Sequence, residues 1–210
     1  MFRLTILIFI FVLFLTGCSL NKPQANVIVE TELNTNMGED KVAVIIEPKT
    51  EYNPVFPVDD FQNRITKKRF GEYITQNNSP IKQERFNGYH TGVDVEYEDV
   101  KGDVLVRSVA DGVVIYSGWV SGYGGVIIIN HNNYTALYGH VKQLSSIKKN
   151  VNVRVSEQIG TLGDGKTMET DNERKHLHFG IYKGQEINFR GYVQSEDELM
   201  KWLDPLKLYD

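Results

Sequence analysis

From about residue 57 the chain is built of short apolar runs, each closed by Gly, Asn or Asp. Val104-Leu105-Val106, Gly112 to Tyr116, Gly125 to Ile129 and Tyr134 to Tyr138 are rich in Val, Ile and Tyr, residues that suit a pleated, half-buried surface. Asp111-Gly112 and His131-Asn132-Asn133 stand where hairpin connections are expected. Val151 to Val155 alternates apolar with polar and predicts a half-buried strand. Ser121-Gly122-Tyr123-Gly124-Gly125 lacks the lysine and following helix of a phosphate cradle, so it reads as a turn. Near the end, Ser195 and Glu198 form a capping-box pattern. Leu199, Trp202 and Leu203 then share one helical face, and Pro205 stops the helix. This helix is expected to pack on the sheet and do no chemistry. The predicted class is mainly β, a compact antiparallel β-sheet domain with a minor C-terminal helix.

The first sixty residues follow another pattern. Leu4 to Leu15 is apolar apart from Thr5, and Arg3 precedes it. The run is shorter than the roughly 18–20 residues that span a bilayer and fits the apolar core of a secretory signal. It ends in Leu15-Thr16-Gly17-Cys18. A leucine, two small residues and a cysteine resemble a bacterial lipoprotein signal, which implies that Cys18 is lipidated and becomes the new N-terminus. The alternative is an uncleaved membrane anchor with Cys18 incidental. Either way the remainder is exported. Segment 1–17 is read as the signal peptide, 18–56 as an acidic, Pro-containing tether and 57–210 as the folded domain. Four of the six prolines lie within 19–60, with three lysines against eight Asp and Glu, a composition that stays extended and solvated. Val42-Ala43-Val44-Ile45-Ile46 is the exception, either a short strand docking on the domain or an apolar patch in a loop.

Composition narrows the chemistry. The chain has 210 residues, a net charge of −4 and one cysteine. A single cysteine excludes an intrachain disulfide and a cysteine metal cluster. The weakly acidic balance offers no electrostatic reason to expect nucleic acid. The acidity belongs to residues 19–60, at −5, while residues 61–210 balance to zero.

The five histidines carry the candidate chemistry. On a strand, His176 and His178 share one face with Gly180, and Leu177, Phe179 and Ile181 share the other. Two imidazoles in a row suit a metal or catalysis, or form a structural pair. His90-Thr91-Gly92-Val93-Asp94 adds an imidazole and a carboxylate on what reads as a bent extended segment, with Gly92 supplying the bend. Together, His90, Asp94 and one histidine of the later pair give the three protein ligands of a catalytic zinc site, which leaves the fourth position to water. The spare histidine then stands beside that water as general base. Tyr138-Gly139-His140 follows a strand; by itself it reads as a turn. His131, in Asn130-His131-Asn132-Asn133, reads as an exposed turn residue without a role.

His-Thr-Gly-Val-Asp, Leu-Tyr-Gly-His and His-Leu-His-Phe, in that order, resemble the lysostaphin-type (LytM-like) zinc endopeptidases. Arg69-Phe70-Gly71, Val109 to Val114, Gly118-Trp119 through Gly125 and Val155 to Gly163 extend the resemblance over roughly 57–208. It implies an antiparallel β-sheet fold of the duplicated-hybrid-motif type with an open groove, and zinc held by His90, Asp94 and His178. It further implies His176 as general base, His140 holding the water and stabilising the charge that develops, and peptide bonds of peptidoglycan as substrate. Non-catalytic wall-binding or regulatory relatives usually lack the zinc ligands; here every position is filled. The implied partners are peptidoglycan peptides, and the membrane through a lipid at Cys18. An open groove with few bulky walls would suit glycine- and D-Ala-containing bonds. Three stretches depart from the pattern: a long Asn77 to Asn87, a charged Gly165 to Lys175, and Lys183 to Trp202. Loops flanking a groove set substrate choice, so the departures bear on which bond is cut.

Overall fold

The β-rich runs pair as their patterning predicts. A computed structural model describes residues 53–210; residues 1–17, read above as a signal peptide, Cys18 and Val42–Ile46 lie outside the described residues. The strands are β1 (Tyr73–Ile74), β2 (Gly88–His90), β3 (Gly92–Glu96), β4 (Leu105–Arg107), β5 (Gly112–Val120), β6 (Gly124–Asn130) and β7 (Thr135–Gly139). They continue with β8 (Val141–Gln143), β9 (Asn152–Val153), β10 (Gln158–Leu162), β11 (His176–Tyr182), β12 (Tyr192–Val193) and β13 (Trp202–Leu203). The largest sheet runs β13-β11-β7-β6-β5-β9, with β3 also on β11; β1-β2-β12 and β4-β10-β8 form two smaller sheets. All pairings are antiparallel, so the fold is mainly β.

The central sheet buries both faces, and the two faces differ. Ile127, Ile129, Ala136, Tyr138, Leu177, Phe179 and Ile181 pack in the main core with Val93, Val95 and Phe61. The opposite face carries a smaller cluster of Tyr123, Val126, Ile128 and Leu137. Leu137 stands opposite Gly180, and Gly139 opposite His178, so His176 and His178 continue this second face. The period-2 reading of β11 is therefore correct on both sides of the strand.

Three local expectations fail. Ser195 does cap a helix, its Oγ accepting from Glu198 N at 3.3 Å, but the helix (α1, Glu196–Leu199) is a single turn. Trp202 and Leu203 instead pair with Tyr182 and Ile181, because the free edge of β11 offers ladder bonds that an isolated turn cannot match. Pro205 then opens a 3-10 turn, Pro205–Leu208, rather than stopping a helix. Asp111-Gly112 is no hairpin: β4 and β5 lie in different sheets, and Asp111 Oδ1 accepts from Val155 N across the gap. The strand expected over Val151 to Val155 shrinks to Asn152–Val153.

His131 is also placed differently from its reading. It does lie in the β6–β7 connection, but it is buried, and its Nδ1–H donates to Asp111 O at 2.8 Å. Burial pushes its pKa down to about 4, so it is a neutral structural imidazole.

Candidate metal centre and its cleft

Three strands deliver the site. Residues β2 and β3 are separated only by Thr91, so His90 and Asp94 arrive on consecutive short strands. Asp94 stands opposite His178 and Glu96 opposite His176 in the β3–β11 register. Gly92 is required here, though not for the bend expected of it. A Cβ at this position would lie 2.4 Å from Phe179 O, so glycine is what lets β3 approach β11 closely enough for the two side-chain sets to meet. His140 follows β7 with φ +63, a left-handed conformation that is costly for a side chain of this kind.

The structure brings all five sequence-predicted residues, His90, Asp94, His140, His176 and His178, to one place. None is more than 4% exposed. His90 Nε2 lies 3.1 Å from His178 Nδ1, which lies 3.1 Å from Asp94 Oδ1; His90 Nε2 and Asp94 Oδ1 are 3.3 Å apart. Tetrahedral zinc with bonds of about 2.0–2.1 Å sets its donor atoms roughly 3.3 Å apart, so this triangle has the right edges. The tautomers agree. His90 Nδ1–H donates to Arg69 O at 3.2 Å, which leaves the Nε2 lone pair facing inward. Without a cation among them, this close approach needs a proton on His178 Nδ1, which then donates to Asp94 Oδ1. His178 Nε2 has no hydrogen-bond partner among the described residues, so with Nδ1 facing the triangle its N–H is left unpaired. The residues present fit a zinc ion.

The other two imidazoles lie alongside. His176 Nδ1–H donates to Arg174 O at 2.9 Å. Its free Nε2 is 3.6 Å from Asp94 Oδ2. The His140 and His176 ring centroids are 4.1 Å apart, and His140 Nδ1 has no partner among the described residues. Burial depresses the basicity of His140, His176 and His178, with His140 brought down to about 3. All three are neutral near pH 7, the form in which an imidazole ligates or accepts a proton. Burial would raise the Asp94 carboxyl, but the imidazoles and the Arg174 guanidinium packed against it hold it well below the usual carboxylate range.

Arg174 is the participant that the motif reading missed. Its guanidinium donates to Asp94 Oδ2 at 2.7 Å and to Glu96 through Nε and Nη2, so Asp94 is clamped by one oxygen and presents the other to His90 and His178. The alternation that put His176 and His178 on one face also puts Arg174 there, two residues earlier.

A cleft of about 410 Å³ opens onto the centre. Its walls come from the three departing stretches: Arg85 and Phe86 from the first, Glu173 from the second, Phe189 and Tyr192 from the third. With Tyr123, four aromatic rings line it, in place of the expectation of few bulky walls. Phe86 stacks on Tyr192, while Arg85 reaches across to Glu173 and Asp171. Beneath them a buried Lys68–Glu84 ion pair holds the first stretch down.

Residues 88–189, which contain all five site residues, match the family model described as peptidase family M23. The chain is 36% identical over 109 residues to the murein hydrolase activator NlpD of Salmonella dublin, covering 50% of this chain and 26% of that protein. It is 36% identical over 102 residues to the DD-carboxypeptidase/endopeptidase Mpg of Neisseria meningitidis serogroup B, covering 47% and 21%. It is 34% identical over 91 residues to the lipoprotein NlpD of Yersinia enterocolitica, covering 42% and 88%. The chain thus matches about a quarter of the length of the first of these relatives. A chain of the SpoIIQ–SpoIIIAH pore-forming complex shares the fold, with a TM-score of 0.53 at 20% identity over 75% of this chain and 91% of that one.

Proposed function

The chain belongs to peptidase family M23, and from that membership we propose that it is an exported, lipid-anchored zinc endopeptidase that hydrolyses peptide bonds of peptidoglycan. The observation that carries this reading is the donor triangle of His90, Asp94 and His178, with two neutral imidazoles beside it. Zinc bound there supplies Lewis-acid polarisation of a carbonyl and a more acidic water. The protein supplies the rest. His90 and His178 donate neutral nitrogens, and Asp94 offsets part of the ion's charge. Arg174 fixes the Asp94 carboxylate, the kind of outer support that orients a ligand. His176, anchored through Nδ1–H on Arg174 O, takes a proton on Nε2 as general base. His140 hydrogen-bonds the oxygen on which charge develops. The lipid on Cys18 and the acidic tether would hold the domain at the outer face of a membrane.

A second reading has specific support, because relatives at 36% identity are named as murein hydrolase activators. In that reading the same cleft serves regulation of another enzyme.

Digestion of purified peptidoglycan separates the two. New amino termini released by the wild type, and lost in His176→Ala and His178→Ala, support the endopeptidase. No new termini, with stimulated release by an added wall hydrolase, supports the activator. Membrane fractionation tests the anchor: Cys18→Ala protein is expected in the soluble fraction with its activity intact.

A further inference from the structure

A second cavity of about 370 Å³ lies between the first two departing stretches, and it shares Arg85, Glu173 and Arg174 with the metal cleft. Its lining is polar and cationic: Lys67, Lys82, Arg85, Lys166 and Arg174 face only Glu98 and Glu173. Three of those cations are already neutralised. Lys67 pairs with Glu98 and Glu96, Arg85 with Glu173 and Asp171, and Arg174 with Asp94 and Glu96. Lys82 and Lys166 have no carboxylate within ion-pair distance among the described residues. Lys166 is nevertheless held in place, its Nζ donating to Asn172 O at 3.0 Å. Gln83, Lys166 and Asn172, all on this cavity, adopt left-handed backbone with φ between +64 and +65, a conformation uncommon for Gln and Lys and easier for Asn. The loops thus put Lys82 and Lys166 together on the lining of one polar hollow beside the metal centre.

We propose that this hollow is an anion subsite, and that the anion it takes is a free carboxylate on the peptide whose scissile bond occupies the neighbouring cleft. The identification of the peptide rests on the peptidoglycan reading above; the subsite's charge does not. Stem peptides of the wall carry free carboxylates on side branches and at the chain end, and the shared wall of Arg85, Glu173 and Arg174 makes the two compartments neighbours. Phosphate would satisfy the same two ammonium groups, so the source of the anion is a matter for the test.

The test is direct binding of a stem tetrapeptide with free carboxylates, and of the same peptide fully amidated, measured by calorimetry on the full-length protein. The wild type is expected to bind the free acid about tenfold more tightly, the size of two charge-assisted contacts at exposed lysines. In Lys82→Gln/Lys166→Gln, whose altered side chains are exposed, the discrimination is expected to fall to within about twofold. KM for cleavage is then expected to rise with kcat unchanged. Equal binding of acid and amide by the wild type, or discrimination that survives the double substitution, overturns the proposal. Inorganic phosphate that binds more tightly than the free-acid peptide and displaces it overturns the assignment to carboxylate. Discrimination without cleavage of any wall preparation leaves the subsite standing and removes the endopeptidase reading. Cleavage without discrimination does the reverse.

Discussion

Replacing Glu84 by Gln should destabilise the domain more than any loss of a surface ion pair could. The Glu84 and Lys68 side chains are 3% and 5% exposed, with Nζ 2.5 Å from Oε2. Glu84→Gln would leave the Lys68 ammonium with the Tyr192 hydroxyl, at 2.9 Å, as its main partner. Breaking a buried pair from one side costs about 3–5 kcal/mol; because Lys68 lines a cleft that admits water, the lower end, about 3 kcal/mol, applies. Lys68→Met should cost less, about 2 kcal/mol, because Glu84 keeps the Ser79 hydroxyl and Phe86 N–H as donors. The double substitution removes both charges and should be no worse than about 3 kcal/mol, a coupling of about 2 kcal/mol. Burial would raise the Glu84 carboxyl, but the hydrogen bonds from Lys68 and Ser79 and the Lys68 charge hold it below its ordinary range. A depressed carboxylate contributes stability above its unfolded pKa, near 4.3, and loses it as pH falls through the folded value. The gap between wild type and Glu84→Gln should therefore close on acidification below about pH 4. Urea unfolding followed by tryptophan fluorescence at pH 7 and at pH 3.5 reads all four proteins. A Glu84→Gln cost under about 0.5 kcal/mol at pH 7, or strictly additive singles, would refute a tightly coupled buried pair.

The remaining predictions concern other parts of the fold. His131 is neutral when folded, with its pKa lowered to about 4 by burial. The wild type should therefore lose about 3 kcal/mol from this group between about pH 6.5 and 4, as the unfolded chain takes up the proton. Urea midpoints of His131→Gln should show a correspondingly shallower acid slope. Gly92→Ala should cost about 2–3 kcal/mol because its Cβ meets Phe179 O at 2.4 Å. Zinc affinity should fall with it, since β3 must move away from β11; a thermal melt and a zinc titration check both. Arg174→Gln should weaken zinc about 10–100-fold, the usual effect of losing a group that holds a ligand, as read by competition with a chromophoric chelator.

What the sequence disclosed, and what it hid, follows from the range of the interactions. The face shared by His176, His178 and Gly180 was legible because strand alternation is local and strict, and Leu177, Phe179 and Ile181 confirm it from the core side. Convergence of His90 and Asp94 on β11 could be suspected from ligand arithmetic alone. His140 came only from resemblance, since nothing near it in the chain distinguishes it from a turn histidine. The last helix was misjudged because a valid N-cap at Ser195 says nothing about the open edge of β11 that captures Trp202 and Leu203. His131 looked exposed because Asn residues flank it, whereas Asp111, 20 residues away in sequence, gives its ring a backbone acceptor. Arg174 lay inside the charged stretch Gly165 to Lys175, read only as a departure that bears on bond choice. Its partners Asp94 and Glu96 are about 80 residues distant, and such pairing leaves no periodic mark.

Zinc content per chain is the most direct measurement, because each proposed catalytic role depends on His90, Asp94 and His178 holding one ion. Purified wild type and His176→Ala, dialysed against trace zinc and analysed by atomic emission, should each contain one zinc per chain, while His90→Ala, Asp94→Ala and His178→Ala contain none. A zinc-free wild type, or zinc retained undiminished after loss of His178, would contradict it.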